Sequence, residues 1–500
     1  MTAITPAQAE PPLILTIDVG TSSVRGLLFD RHARMVDGVA AQERYAVRTT
    51  AEGAAEDDPD AALERIARCV DAVLAQAGPL AQGIGGVSVD TLVSNILAID
   101  RAGRPLTPLI TYADTRNDSD ADALRRRLDE REVHDRTGCM LRTSYWPARL
   151  AWFRRTQPAL WRAAARWITL GEYLELRLFG QCRVSYSVAS WSGLLDRRRL
   201  VWDAPLLAEL GLAEDQLSPL VDVDAPLAGL TGATQGRSYA ARWPALRAVP
   251  WFPAVGDGAA ANVGSGCTGH DRIALTVGTT GAVRAIQADV PRVPAGLWCY
   301  RVDRQRALLG GATSEGGNVY AWLRQTLRLG EPDAIERALA ELPPDGHGLT
   351  VLPFLAGERS PGWAGDVKAT ITGLALSTTP MEILRACLEA VAYRFALIEE
   401  RLCGRGDCAH RLIASGGALL SSPAWMQIVA DVLGRPVVAS AEPEATSRGT
   451  ALLALAALGA IPSIEAAPAA DGAVYEPDQA RHERYQEAIA RQQRLYRALI

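Results

Sequence analysis

Two stretches of this chain carry the same succession of apolar and polar positions. Residues 13–30 read LILTIDVGTSSVRGLLFD: an apolar run, a short polar turn, and a second apolar run. Residues 273–286, IALTVGTTGAVRAI, repeat the arrangement in the second half. Each pattern predicts two strands joined by a tight turn. Gly20 and Gly278 permit a sharp bend, and Thr21, Ser22, Ser23, Thr279 and Thr280 set hydroxyls beside freed backbone N–H groups. Amides and hydroxyls gathered at such a turn form a cradle for phosphate. An arginine follows each turn, Arg25 and Arg284. Two cradles suggest two related domains gripping one polyphosphate from opposite sides.

Elsewhere the apolar period lengthens to that of helices. Residues 60–77 predict an amphipathic helix after Glu56-Asp57-Asp58-Pro59, while 84–90 (IGGVSVD) and 94–100 (SNILAID) predict buried strands. Residues 119–133 read as one charged, solvated helix, and the tryptophans and tyrosines between 145 and 180 as core packing. A proline- and glycine-spaced stretch, Leu217 to Pro253, separates the halves. Beyond it helices are predicted at 316–329, 379–402, 423–434 and 478–499, with strands at 349–355 and 411–415. Strands alternating with helices make α/β layers. Five hundred residues exceed what one core accommodates. The expected organisation is a loose leader (1–12), an N-terminal domain (13–247) and a C-terminal domain (248–500).

Composition narrows the partners. A net charge of −5 gives no reason to expect nucleic acid or an anionic membrane. No apolar run reaches the ~18 residues of a membrane span; ALLALAALGA (451–460) comes nearest. The N-terminus lacks a signal-peptide pattern. The eight cysteines are scattered, and Cys403 and Cys408 read as incidental thiols rather than a metal or disulfide site, so a reducing cytoplasm is expected. Lysine occurs once, at Lys368, and no Gly-Lys-Ser/Thr tripeptide exists, which excludes a Walker A loop. Phosphates must be held by amides, hydroxyls and arginine.

Three places carry candidate chemistry. Asp18 ends an apolar strand just before the first turn, where a carboxylate suits Mg²⁺. Asp257, with Gly258, lies among small residues in VGDGAAAN and can start a helix; there it can accept a proton from an attacking hydroxyl. Residues 414–422, ASGGALLSS, follow a short strand, and Gly416-Gly417 would let a flat ring lie on the backbone beside Ser421.

Together these residues resemble the FGGY family of carbohydrate kinases, within the actin/hexokinase/heat-shock ATPase superfamily. Asp18-Val-Gly-Thr-Ser-Ser and Thr276-Val-Gly-Thr-Thr-Gly are similar to its two phosphate motifs, and Ala414-Ser-Gly-Gly-Ala to its adenosine motif. Asp257 falls at the catalytic base, Tyr112-Ala-Asp-Thr-Arg116 in a sugar-side run, and Leu355–Pro361 at a further hallmark. The resemblance implies two ribonuclease-H-like (actin-like ATPase) domains flanking a central cleft for ATP and sugar. It implies ATP and Mg²⁺ as cofactors, with Gly317 near the adenosine and the sugar near Asp90, Val93, Ser94, Asp114 and Arg116. Xylulose kinases carry Met-His-Gly, and many gluconate kinases Met-His-Ser, where this chain has Val93-Ser94-Asn95. Segments such as Tyr186–Leu194 and Gly311–Asn318 resemble the gluconate-kinase branch. A sugar acid is therefore expected, its carboxylate on Arg116, Arg142 or Arg359, with xylulose or another ketose as alternative and a homodimer left open. The competing classes are a nucleotide-gated structural protein and a catalytically silent sugar-responsive regulator; the sugar-side motifs oppose the first, and Asp18 and Asp257 the second.

Overall fold

A computed structural model describes residues 3–230, 233–234, 237–269, 271–404 and 410–500. Two mixed sheets dominate it. The first contains β1 (Leu13–Val19), β2 (Ser23–Phe29), β3 (Met35–Arg44), β4 (Ile84–Thr91) and β5 (Val255–Gly256), in the order β5-β4-β1-β2-β3. The second contains β6 (Arg272–Val277), β7 (Gly281–Gln287), β8 (Trp298–Arg301), β9 (Ala307–Thr313), β10 (Arg411–Ser415), β11 (Val437–Ser440) and β12 (Asp471–Tyr475). Its order is β8-β9-β7-β6-β10-β11-β12. Helices α1 (Pro59–Ala77), α2 (Asp257–Gly264), α3 (Gly317–Thr326), α4 (Pro380–Cys403) and α5 (Ala445–Ala457) pack on or beside these sheets.

The repeat seen in the sequence is a repeat of topology. In each sheet the central hairpin, β1–β2 or β6–β7, is antiparallel, and a parallel strand, β4 or β10, lies against its first arm. Every residue of β1 is buried, which is why its sequence runs apolar instead of alternating. The helix expected at 60–77 begins where Asp58 accepts a hydrogen bond from the Ala61 N–H (2.8 Å), ahead of Pro59 at the first helical position. Thr379 and Glu382 form a capping box that starts α4.

Some expected elements differ. Residues 119–133 hold two helices, Asp118–Arg127 and Glu130–Thr137, because Asp129 stops the first and caps the second through the Arg131 and Glu132 N–H groups. Only Leu97–Ile99 of 94–100 is a strand: Ser94 has φ +56° and the Asn95 side chain donates to Leu92 O, bending the chain first. The strand expected at 349–355 is Thr350–Leu352, ending at Pro353, which has no N–H to donate. The helix expected at 316–329 ends at Thr326. Of the aromatic residues at 145–180, Tyr145, Trp146, Trp167 and Tyr173 are buried as expected. Cys408 lies outside the described residues. Among the described residues no helix is long and apolar enough to cross a membrane.

The halves share buried surface. Val255–Gly256 joins the first sheet beside β4, and α5 returns from the second half onto β1 and β4. There α5 crosses α2 at backbone contact. A Cβ on Gly264 would stand 1.7 Å from Ala445 O, and one on Gly449 would stand 1.9 Å from Ala260 O. Only glycine allows this approach. One apolar cluster consequently draws on both halves, from Ile14 and Phe29 to Trp298, Tyr300 and Leu452.

Candidate active site

The two hairpin turns lie at the ends of the two central strands. In the first, the Gly20 N–H donates to Ser23 O (3.0 Å) and the Tyr45 N–H to Ser22 O (2.9 Å), leaving Thr21 and Ser22 exposed. In the second, the Gly278 N–H donates to Thr280 O (3.0 Å), and Thr279 and Thr280 are exposed. Helix α3 begins against this second turn: the Gly317 N–H donates to Gly278 O (2.8 Å) and the Asn318 N–H to Thr279 O (3.1 Å). The turn after β10 meets it from the other side. Gly416, at φ +91°, places its Cα so that a Cβ would stand 2.4 Å from Val277 O, and a Cβ on Gly317 would stand 2.5 Å from the Ala418 methyl. Gly278, Gly317, Gly416 and Gly417 are thus brought together. Ser421 sits at the next turn, its hydroxyl donating to Ala418 O (3.2 Å).

Charge is concentrated at the first turn. Asp18 faces Arg25 across the β1–β2 ladder and Asp90 across the β1–β4 ladder. Arg25 Nη2 lies 2.8 Å from Asp18 Oδ2, and Nη1 lies 2.7 Å from Glu444 Oε2 at the start of α5. Asp90 is fully buried and accepts a hydrogen bond from Thr450 Oγ1 (2.9 Å). Burial, and then the neighbouring Asp18 carboxylate, push its pKa well above the ordinary carboxylate range. It forms the floor beneath Asp18 rather than a wall open to a sugar.

Asp257 begins α2, as the small-residue pattern around it suggested. Its Oδ1 accepts from the Gly258 N–H (2.7 Å), and Gly258 O accepts from Arg284 Nη1 (3.1 Å). Asp257 opens onto a cavity of about 360 Å³, yet protein surrounds it on its other sides. Burial raises its pKa to about 6, the Gly258 N–H opposing, Asp18 adding and Arg284 opposing. A carboxylate so placed is ionised at neutral pH and still basic enough to take a proton.

Val93, Ser94 and Gly258 line the same cavity, together with Trp191, Tyr145, Tyr300 and Arg359. The rings of Trp191 and Tyr300 stack at 3.5 Å, joining residues from opposite halves. Ser94 turns its hydroxyl to Trp191 O (2.6 Å), and its own carbonyl accepts from the buried Arg149. Asp114 and Arg116 are not on this wall. They form a closed cluster in which Arg116 pairs with Asp114 (2.6 Å) and Glu56 (2.7 Å) and Asp114 accepts from the Ala55 N–H. Arg142 is likewise held by Glu130. Among the described residues Arg359 has no carboxylate partner, and it lines both this cavity and an adjoining one of about 740 Å³. Sequence reasoning overlooked Glu444, Thr450 and the Trp191–Tyr300 wall, and it used Arg284 only as a counterpart of Arg25. The acid and hydroxyl just before and within the apolar run 445–457 were the only available signal for the first two.

Comparisons with known proteins bear on the family and the fold. Residues 13–264 match the family described as FGGY family of carbohydrate kinases, N-terminal domain, and residues 273–458 match the C-terminal domain of the same family. A gluconokinase from Bacillus subtilis (strain 168) is 28% identical over 477 residues, covering 92% of this chain and 91% of its own. Two solved structures from Lactobacillus acidophilus, a ligand-bound xylulose kinase and a gluconate kinase, each superpose with a TM-score of 0.90. Each is 24% identical and covers 97% of this chain and 98% of its own, a likeness of fold.

Proposed function

Because the chain belongs to the FGGY family of carbohydrate kinases, we propose that it transfers the γ-phosphoryl group of magnesium-bound ATP to a terminal hydroxyl of a small open-chain sugar acid, gluconate or a near relative. The observation that carries this reading is Asp257: a carboxylate with a pKa of about 6, set in the wall of a cavity beside the second turn. The similarity to a gluconokinase supports the sugar acid. So does Arg359, a cavity-wall arginine with no carboxylate partner among the described residues, since a guanidinium holds a carboxylate in bidentate geometry.

The residues present fit both implied groups. Asp18 faces Asp90 across the β1–β4 ladder, and its charge adds to burial in raising the pKa of both Asp90 and Asp257, so acidic groups converge there in a way that suits a hard dication bound through oxygen. Asp18 would hold the ion. A methyl added at Gly278 or Gly417 meets nothing within 4 Å, so room for a ligand is open above both turns. Thr21, Ser22, Ser23 and Arg25 on one side and Thr279 and Thr280 on the other would hold the phosphates. The adenine would rest on Gly416 and Gly417 beside Gly317, with Ser421 at the rim. When bound, Mg²⁺ neutralises phosphate charge and ATP supplies the phosphoryl group.

The chain's own part is to bind, orient and move one proton. The sugar would lie against Val93, Ser94 and the Trp191–Tyr300 stack, with Gly258 beneath it. Asp257 Oδ would take the proton of the terminal hydroxyl as that oxygen attacks phosphorus. Residues 13–247 would carry most of the sugar side, and 248–500 the base, the second turn and the adenosine turn. Cys69, Cys139, Cys182, Cys267, Cys299 and Cys387 form no disulfide and are buried, which supports a reducing, cytoplasmic setting.

A second reading, a neutral ketose such as xylulose, is favoured by the aromatic part of the cavity wall. A coupled ADP-release screen over gluconate, xylulose, ribulose and glycerol separates the two. Gluconate should give the highest kcat/KM; a ketose in first place would overturn the sugar-acid assignment, and no turnover with any sugar would overturn the kinase.

A further inference from the structure

Glu444 stands at the N-terminal end of α5, where a short polar side chain commonly caps the helix. It makes no such cap. Its carboxylate reaches instead to the first turn, 2.7 Å from Arg25 Nη1. Arg25 therefore sits between two carboxylates, Asp18 on its own hairpin and Glu444 on a helix supplied by the other half of the chain. Burial raises the Glu444 pKa, Arg25 pulls it down, and Asp18 opposes that pull. Two residues further along, Thr446 reaches the wall of the Asp257 cavity, so the first turn of α5 spans from the phosphate side to the sugar side.

This geometry has a consequence for nucleotide binding. A cation on Asp18 and an anion at the turn both weaken the Asp18–Arg25 pair. The guanidinium would then swing freely, at the entropy cost of a long side chain, unless a second anion kept it in place. Glu444 is that anion. We infer that Glu444 is a positioning residue for phosphoryl transfer, one that tethers Arg25 at the first turn while Arg25 passes from Asp18 to the phosphate oxygens, an assignment that rests on the kinase reading above. Because Glu444 belongs to α5 and Arg25 to β2, the same contact ties nucleotide binding to the relative position of the two halves.

The test is calorimetric binding of magnesium-ADP to the full chain, combined with a two-residue cycle. Glu444→Gln preserves volume and removes the charge. It should weaken magnesium-ADP about 10- to 100-fold, the scale of a lost charge-assisted bond, and lower kcat/KM for ATP while leaving the sugar KM unchanged. In an Arg25→Ala background the same substitution should have no further effect. Glu444→Asp, which retains the carboxylate, should recover most of the loss and guards against a misfolded glutamine variant. Wild-type affinity in Glu444→Gln, an undiminished loss in the Arg25→Ala background, or an aspartate no better than glutamine would each overturn the assignment. A wild-type chain that binds no magnesium-ADP would instead overturn the kinase reading itself.

Discussion

The two central hairpins share a backbone plan and differ in charge. On the rung next to the last before the turn, the first hairpin pairs Asp18 with Arg25, and the second pairs Thr276 with Ala282. Arg284, which follows the second turn in sequence much as Arg25 follows the first, pairs with Ala274 farther from the turn and donates to Gly258 O. Thr276 shares a hydroxyl contact with Ser415 (2.9 Å) instead of an ion pair. A duplicated strand–turn–strand has thus been divided into a charged end and a neutral one. The charged end suits a metal ion and the movable cation beside it. The neutral end offers amides, hydroxyls and open space.

Asp257 lies beside the second hairpin and feels the charge of the first, so its loss should have the largest effect. Asp257→Asn should lower kcat about 10²- to 10⁴-fold, the range for a general base, with magnesium-ADP affinity nearly unchanged because both turns remain. Full turnover in this variant would remove the base from the scheme. In the wild type, kcat/KM should fall as pH drops through about 6, because protonation of a carboxylate with raised pKa removes the proton acceptor. A flat profile between pH 5 and pH 8 would show that another group takes the proton.

The next largest effect contrasts the matching rungs. Asp18→Asn should weaken magnesium-nucleotide binding by about 10- to 100-fold, whereas Thr276→Val should change it only about 2-fold, the scale of a weak neutral hydrogen bond. Equal losses would erase the division of labour. Gly278→Ala sharpens the picture further: a methyl there meets no protein atom, so the melting temperature should hold while nucleotide affinity falls. Unchanged affinity would mean that no ligand atom approaches the turn. On the sugar side only a small effect is expected at Ser94. Its hydroxyl is engaged by Trp191 O, so Ser94→Ala should raise the sugar KM only about 3-fold, through a looser Trp191, at the cost of one hydrogen bond. A much larger change would place the hydroxyl on the sugar.

Much of the fold was legible because its signals are local. The hairpins, the Pro59 and Pro380 helix starts and the β10 strand depend on residues within a few positions of one another. The misreadings were also local in cause: Asp129 acting as a cap inside a charged run, and Ser94 adopting a left-handed backbone that its type rarely takes. At the site, the turn residues, Asp18 and Asp257 could be picked from pattern. The roles expected of Asp90, Asp114 and Arg116 could not be checked by pattern, since a buried acid on a strand looks the same whether it faces a ligand or a neighbouring ion pair. Packing put Asp90 under Asp18 and closed Arg116 onto Glu56.

The sequence by itself determined the doubled strand–turn–strand, the exclusion of a lysine-bearing phosphate loop, and the two acids set among small or apolar residues. These follow from backbone freedom at glycine, side-chain period and residue chemistry, all of which act over a few residues. Only the tertiary structure decided which charges meet. Arg25 and Glu444, Asp90 and Thr450, and Trp191 and Tyr300 are far apart along the chain, and each contact exists because α5 crosses α2 at glycine and returns to the first sheet, or because the halves stack against one another. Coulombic and hydrogen-bond energies fall steeply with distance, so an ångström-scale crossing of two helices, invisible to any local pattern, settles which carboxylate holds the cation.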